Sequence, residues 1–182
     1  VRDEEAATSA TMVMVHGDGE RSFIHYIGAN ATLTEDDVNW DVVASSKILH
    51  VAGTFLMPAF DGEPTARVLK KAREMGVTTA LDTCWDSKGR WMSVLEPCLP
   101  YVDYAVPSIE EARMCTGKHD PADVARVLMD KGVGTVAPEG KDTSTSNTFK
   151  AGAVTRAMLP GKVRGGPQDT QVALGQPPGQ RP

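Results

Sequence analysis

Strands alternate with helices through the middle of this chain, and that alternation is the strongest constraint on its fold. Short β-rich runs stand at "SKILHVAG", "VTTALDT", "DYAVP" and "VGTVA". Between them lie segments with the apolar spacing of amphipathic helices, such as "DGEPTARVLKKAREMG", in which Gly76 supplies a stop. Strands separated by helices pair in parallel, and the helices pack on the faces of the sheet. The sequence therefore predicts an α/β fold with a mostly parallel sheet.

A β-hairpin is predicted ahead of this unit. Two β-rich runs flank Asp18-Gly19 within "TMVMVHGDGERSFIHYI". Asp-Gly favours a two-residue type I′ turn, because both central residues of that turn need positive φ. The pattern predicts antiparallel strands over about residues 11–27. An ordinary edge ribbon with one half-buried face is the plainer interpretation of such a hairpin.

Charge and cysteine content exclude several classes of function. The 182 residues carry a formal net charge of -5, which argues against binding nucleic acid or anionic lipid through the overall field. Three cysteines, Cys84, Cys98 and Cys115, lack metal-ligand spacing, and their odd number favours reduced cytoplasmic thiols over a disulfide framework. No apolar stretch approaches the roughly 20 residues that span a bilayer. We therefore expect a cytoplasmic protein without nucleic-acid or membrane partners.

The stretch "DYAVPSIEEARMCTG" joins a strand end to a helix start. Ser108 and Glu111 form the S-x-x-E pattern of a capping box, which satisfies backbone donors without any ligand. Exposed amides and the helix dipole beyond a parallel strand also favour anions such as nucleotide phosphates. Asp82, at the end of the preceding strand, has the same two interpretations, a cap for the next turn or a ligand contact. The residues alone support both.

Five segments follow one another in a characteristic order: the hairpin, "GERSFIHYIGAN", "LHVAG", "LDTCWDSKGRW" and "VDYAVPSIEEARMCTG". This ordered series resembles the ribokinase-like carbohydrate and nucleoside kinases, the PfkB family, over about residues 8–137. The resemblance implies a three-layer α/β/α sandwich with a β-hairpin lid, incomplete at both ends. It also implies phosphoryl transfer from ATP, with Mg²⁺, to a hydroxyl of a sugar or nucleoside. In that family the corner is usually Asn-x-x-Glu; here Glu111 matches and Ser108 replaces the Asn.

The resemblance assigns roles to residues of the corner and the lid. Ser108, Glu111 and Asp82 become candidates for the ATP phosphates, and Glu111 is expected to reach Mg²⁺ through water. The hairpin resembles a lid that closes over substrate and, in some members, forms a dimer clasp, so it is also a candidate homodimer contact. The lid residues expected near substrate are Thr11, Val13, Phe23 and His25, with Asn30 on the return segment.

The stretch "DTSTSNTFKAG", residues 142–152, resembles a damaged copy of the family's C-terminal signature, Asp-Thr-[Ser/Thr]-Gly-x-Gly-Asp-x-Phe-x-Ala-Gly. Thr143 falls in the part expected to meet ATP phosphates, Ser146 replaces a glycine, and Asn147 replaces the catalytic Asp. An amide cannot accept a proton near neutral pH, and loss of a positioned general base costs about 10²- to 10⁴-fold in rate. We expect weak or absent kinase activity. A chance match of a polar loop before a helix is the alternative.

These observations predict a partial kinase domain over residues 8–137, a degraded signature region over 138–159 and a disordered tail over 160–182. The family's N-terminal sugar-binding residues would fall upstream of Val1, so the chain is expected to be truncated. An alternative from another class is a non-catalytic remnant that binds or dimerises through its hairpin. A dinucleotide-dependent oxidoreductase is disfavoured, because the chain lacks the G-x-G-x-x-G fingerprint.

Overall fold

A computed structural model describes residues 3–138 of the chain. Its strands are β1 (Ala10–Val15), β2 (Arg21–Tyr26), β3 (Ile48–Thr54), β4 (Thr78–Thr83), β5 (Tyr104–Ala105) and β6 (Thr135–Val136). Its helices are α1 (Trp40–Ser45), α2 (Glu63–Glu74), α3 (Met92–Leu95), α4 (Ile109–Thr116) and α5 (Pro121–Asp130), with 3-10 turns at Gly28–Ala31, Glu35–Asp37 and Leu99–Tyr101. The predicted alternation of strands and helices is confirmed. No helix in this part of the chain is long and apolar enough to cross a bilayer.

Four strands form one parallel sheet in the order β3-β4-β5-β6. In its register Val51 lies opposite Leu81, Leu81 opposite Ala105, and Ala105 opposite Val136. Because all four strands run the same way, their carboxyl ends meet at one edge of the sheet. That edge holds the end of β4 and the turn between β5 and α4, so the topology brings distant parts of the sequence together.

The two faces of this sheet differ in burial. On one face Val51, Leu81, Ala105 and Val136 are buried, and they share one core with side chains of α2, α4 and α5. On the opposite face, the side chains are exposed or half-buried in residues 3–138: Ile48, His50, Ala52, Thr78, Ala80, Asp82 and Tyr104. The described helices therefore supply one of the two helical layers expected of an α/β/α sandwich.

Helix α2 shows how the sequence builds the covered face. Gly62, with φ 79°, turns the chain into the helix and Pro64 lies in its first turn, where a missing amide proton has no cost. Leu69 and Ala72 are completely buried, and burying a leucine side chain stabilises a fold by about 1.5–3 kcal/mol. Gly76, with φ 81°, ends the helix as predicted.

The predicted hairpin is confirmed, but its turn is not the predicted type I′. Strands β1 and β2 pair antiparallel, with Val13 opposite Phe23. Among the turn residues Gly19 has positive φ, 85°, while Asp18 does not, so the requirement for two left-handed residues is not met. The Gly19 amide donates to the His16 carbonyl at 2.9 Å, and the Asp18 carboxylate accepts from the Glu20 amide at 3.0 Å. This is a three-residue loop with glycine in the left-handed position.

Candidate functional site

The corner between β5 and α4 is a capping box, as its sequence predicts. Ser108 is the N-cap of α4, and its Oγ accepts from the Glu111 amide at 3.3 Å. In return, the Ser108 amide donates to Oε2 of Glu111 at 3.1 Å. The amides of Ile109 and Glu110, in the first turn, donate to no acceptor within residues 3–138. The cap thus leaves donors at the helix start.

Thr83 joins this corner from the neighbouring strand. It is the last residue of β4, its side chain is buried, and its hydroxyl donates to Oε2 of Glu111 at 2.8 Å. Oε2 therefore accepts from two elements, β4 and α4, while Oε1 accepts no hydrogen bond from the residues that the structure describes. Thr83 is not among the residues predicted from the sequence, although its place beside Asp82 at the end of a strand could have indicated it.

The carboxyl edge of β4 is electrostatically negative. Asp82 accepts from the Thr83 amide through Oδ1 at 2.8 Å. Burial, together with the negative carboxylates of Glu111, Asp82 and Asp61, raises the pKa of the adjacent Cys84 thiol to about 11. A thiol with this pKa is neutral at physiological pH, so Cys84 is not an activated nucleophile. The surrounding negative charge favours a cation over a bare anion.

A second cluster, Asp61, Asp86 and Arg90, ties together the loops that follow β3 and β4. Asp86 is buried and accepts from the amides of Lys88 at 3.1 Å and Trp91 at 2.9 Å, and also from the Arg90 amide. The Arg90 guanidinium lies 3.2 Å from Asp86 Oδ1 and 3.7 Å from Asp61 Oδ2. One cation thus bridges two buried carboxylates at the edge where the corner also lies.

The two carboxylates of this cluster have pKa values displaced in opposite directions. Burial raises the pKa of Asp61 above 3.8, although the Phe55 amide and Arg90 oppose the rise. Burial also pushes the pKa of Asp86 upward, but the hydrogen bonds from Trp91, Lys88 and Arg90 outweigh it and hold that pKa below 3.8. The number of hydrogen bonds that each carboxylate accepts accounts for the difference.

Four of the five predicted lid residues share one face of the hairpin. Thr11 lies opposite His25 and Val13 opposite Phe23, and Thr11 Oγ1 lies 2.8 Å from His25 Nδ1. This face is exposed, with Phe23 at 59% of its accessible area. Asn30 lies apart from it, in the turn Gly28–Ala31. No hydrogen bond joins the four residues to Ser108 or Glu111, so the structure assembles the lid face and the corner as separate groups.

The turn after the hairpin depends on a glycine. A Cβ at Gly28 would lie 2.4 Å from the Ala7 carbonyl oxygen and 2.7 Å from the Ser9 amide nitrogen, and its φ is 49°. The adjacent Ala29 amide donates to the Ala7 carbonyl at 2.9 Å. Only glycine permits this approach of the two backbones, which anchors the base of the hairpin.

A surface depression away from the strand ends has no residue in common with the corner. In it, Arg67 pairs with Glu35 at 2.8 Å and the Lys71 ammonium lies 3.8 Å from the centroid of the Trp40 ring. Arg67, Glu35 and Lys71 are thus engaged by other side chains of the depression, which gives no specific indication of a ligand.

Two predicted site residues, Thr143 and Asn147, lie outside the described residues, as do the predicted tail and all but the first residue of the signature region.

Within residues 3–138 no group of three His, Cys, Asp or Glu side chains is arranged to hold a metal ion. Mg²⁺ is commonly held by one or two carboxylates, with waters and substrate phosphates completing its shell. Glu111, whose Oε1 accepts no hydrogen bond from residues 3–138, fits such a water-mediated contact.

The family described as pfkB family carbohydrate kinase matches residues 1–138. The chain belongs to the PfkB family. This match confirms the family membership that the sequence motifs predicted. A fructokinase from Solanum tuberosum is 29% identical over 82 residues, which cover 44% of this chain and 26% of that enzyme.

Solved structures of several kinases show the same fold. The Anopheles gambiae adenosine kinase, in complex with a di(adenosine) tetraphosphate, superposes with a TM-score of 0.64 at 21% identity and covers 77% of this chain and 48% of its own. An Arabidopsis thaliana ribokinase complexed with ribose and ATP gives 0.55 at 20% identity, with 75% and 43% covered. This PfkB chain therefore spans less than half the length of the relatives that it matches here.

Proposed function

We propose that this chain derives from an ATP-dependent sugar or nucleoside kinase and that its corner is the site of the nucleotide phosphates and Mg²⁺. The observation that carries the proposal is the Glu111 carboxylate, held by Ser108 and Thr83 at the carboxyl edge of a parallel sheet in a PfkB chain. Ligands of open parallel sheets bind beyond that edge. The Arabidopsis thaliana ribokinase, of the same fold, was solved with ribose and ATP.

Charge at the corner explains why a metal would accompany the nucleotide. Glu111 and Asp82 are carboxylates and would repel a bare triphosphate. Glu111 would hold a hydrated Mg²⁺ through water at Oε1, and the positive charge of the metal would offset that repulsion. The first-turn amides of Ile109 and Glu110 would then donate to a phosphate, where the helix dipole also favours an anion. Metal and phosphate thus use different parts of one corner.

The hairpin is proposed as the lid of the acceptor site. Thr11, Val13, Phe23 and His25 form one continuous exposed face, which offers both an apolar surface and a hydrogen-bonded Thr-His pair to a sugar or nucleoside. Closure of such a face would exclude water from the transferred phosphoryl group. Asn30, in the turn beyond the hairpin, is proposed to contribute from the return segment.

Catalysis by this chain is proposed to be weak. In a phosphoryl transfer the base must take a proton from the acceptor hydroxyl, and Asn147, which stands where the family has Asp, has no basic oxygen near neutral pH. Thr143 is the residue of the same stretch proposed to meet phosphate.

We also propose a cytoplasmic location, which the three unpaired cysteines support.

Two assays test this function. Calorimetric titration with Mg·ADP should show binding that weakens at least tenfold in Glu111→Gln, since the amide removes the charge that holds the hydrated metal. Arg126→Gln, in an exposed ion pair on α5, is the control and should bind like the parent chain. ATP turnover on a panel of sugars and nucleosides should be about 10²-fold or more below that of an intact relative. Turnover equal to an intact relative would contradict the proposed loss of the base.

A second candidate function is binding or dimerisation through the hairpin, because both of its faces expose large apolar side chains. On the face opposite the proposed lid residues, Met12 is 63% and Ile24 59% exposed. Exposed apolar clusters of this kind mark interaction surfaces. Light scattering of the purified chain would show a dimer that Phe23→Asp dissociates and Arg126→Gln, on α5, leaves intact. A monomer in both variants and in the parent would exclude dimerisation through the hairpin and count against this second function.

A further inference from the structure

The proposed metal site depends on how the Glu111 carboxylate is held, and the contacts of that carboxylate are unequal. Oε2 accepts the Thr83 hydroxyl at 2.8 Å and the Ser108 amide at 3.1 Å. Oε1 accepts from no described residue. A carboxylate with one oxygen held by two donors from different elements has little freedom to rotate. The direction of its second oxygen is therefore fixed as well.

Thr83 has features that a simple surface hydroxyl lacks. Its side chain is 5% exposed, and its hydroxyl donates to a charged acceptor, a class of hydrogen bond that contributes about 1.5–3 kcal/mol. The capping box of Ser108 and Glu111 closes without it, because the Ser108 amide and the Ser108 hydroxyl complete that motif alone. The contact from Thr83 is therefore additional to the helix cap.

We propose that Thr83 is a positioning residue for nucleotide-bound Mg²⁺: its hydroxyl holds Glu111 Oε2 so that Oε1 remains available to a metal-bound water. This inference rests on the proposed function and adds to it a residue that the family pattern around Ser108 and Glu111 does not contain. Thr83 itself touches neither metal nor nucleotide. Its effect is transmitted by the orientation of one carboxylate.

The test uses the full chain and two substitutions at one position. Thr83→Val keeps the shape and removes the donor, whereas Thr83→Ser keeps the donor and removes a methyl group. ADP affinity is measured by calorimetry with Mg²⁺ and with EDTA. We expect Thr83→Val to lose the Mg²⁺-dependent gain in affinity by about fivefold or more while its metal-free affinity stays within about twofold of the parent; a fivefold loss corresponds to about 1 kcal/mol. Thr83→Ser should retain the gain.

If Thr83 has only a structural role, the variants should show a different pattern of affinities. If both variants lost affinity with and without Mg²⁺ in proportion to their loss of thermal stability, or if Thr83→Val kept the full metal dependence, the positioning role would be overturned. A positioning role instead predicts that Thr83→Val loses the Mg²⁺-dependent gain in affinity independently of its thermal stability. It also predicts that Thr83→Ser retains this gain.

A second readout does not depend on nucleotide binding. Hydrogen exchange of the Ser108 amide reports the hydrogen bond to Glu111 Oε2, and it should accelerate severalfold in Thr83→Val but not in Thr83→Ser, with the Ala112 amide of the same helix as the internal reference. Unchanged Ser108 exchange in Thr83→Val would overturn the inference whatever the binding data show. A parent chain that binds no ADP under any condition, with Ser108 exchange accelerated as expected, would instead refute the proposed nucleotide site and leave the Thr83 contact established.

Discussion

The Asp61 carboxylate accepts the backbone amide of Phe55 at 2.9 Å, and Phe55 has a φ of 83°, in a region that non-glycine residues rarely occupy. The Phe55 ring is buried against Trp91, with centroids 5.7 Å apart. A buried carboxylate and a buried ring thus hold a strained backbone position just after β3. Strain of this kind costs about 1–3 kcal/mol and persists only where surrounding contacts enforce it.

Replacing Asp61 should change how stability depends on pH. The pKa of Asp61 is raised on folding, so the folded protein binds more protons than the unfolded chain above pH 3.8 and loses stability as the pH rises through the folded pKa. Asp61→Asn retains an oxygen for the Phe55 amide and removes this titration. Urea unfolding between about pH 3.5 and 7 should show the variant gaining stability relative to the parent as the pH rises.

Asp86→Asn is the matched control with the opposite sign. Its pKa is lowered on folding, so the parent gains stability from Asp86 above pH 3.8 and loses it as the pH falls through the folded pKa. Because this difference develops between the lowered folded pKa and 3.8, the variant should lose stability relative to the parent as the pH rises toward 3.8, and urea unfolding of this pair is extended down to about pH 2. A pH-independent difference for both variants would show that neither carboxylate titrates as the structure indicates.

Removing the charge of Glu111 should make Cys84 more reactive. After burial, Glu111 is the largest cause of the raised pKa of that thiol, about 11. Glu111→Gln lowers the pKa, increases the thiolate fraction, and should accelerate alkylation by iodoacetamide at pH 8.5 by roughly two- to fivefold. The reaction is followed by peptide mass spectrometry in EDTA. Cys98 and Cys115 are buried and serve as unreactive internal controls; an unchanged Cys84 rate would contradict the proximity of the two groups.

Loss of the Ser108 hydroxyl should destabilise the start of α4. Ser108→Ala removes the acceptor for the Glu111 amide and should cost about 1 kcal/mol in the free energy of unfolding. Ser108→Asn keeps a capping oxygen and should cost much less. Chemical denaturation of the three proteins gives the comparison, and an alanine variant as stable as the parent would mean that the cap is replaced by water.

The face of the parallel sheet that is exposed within residues 3–138 predicts different costs of truncation for two aliphatic side chains. Leu81 is 1% exposed and Ile48 56% exposed, on opposite faces. Leu81→Ala should cost about 2–5 kcal/mol, whereas Ile48→Ala should cost no more than about 0.5 kcal/mol. Thermal unfolding of the full chain measures both. Comparable losses would show that the Ile48 face is covered in solution.

Much of the fold follows from local patterns in the sequence. The strands around Val51 and Leu81, the helix that Gly76 ends and the cap at Ser108 each depend on residues close together in the chain, so periodicity and capping chemistry suffice to predict them. The hairpin was predicted for the same reason, but its turn type was wrong, since Asp18 uses its side chain to accept an amide instead of adopting a left-handed backbone.

The sequence by itself determined the alternation of strands and helices and the capping box of Ser108 and Glu111. Only the tertiary structure decided that Thr83 reaches Glu111, 28 residues away, and that Arg90 bridges Asp61 and Asp86. Strand pairing brings such residues into contact. The residues that it joins are far apart in the sequence, so no local periodicity in the sequence predicts which of them will meet. A parallel sheet brings its carboxyl ends to one edge, and that common edge, more than any local motif, assembles the candidate site.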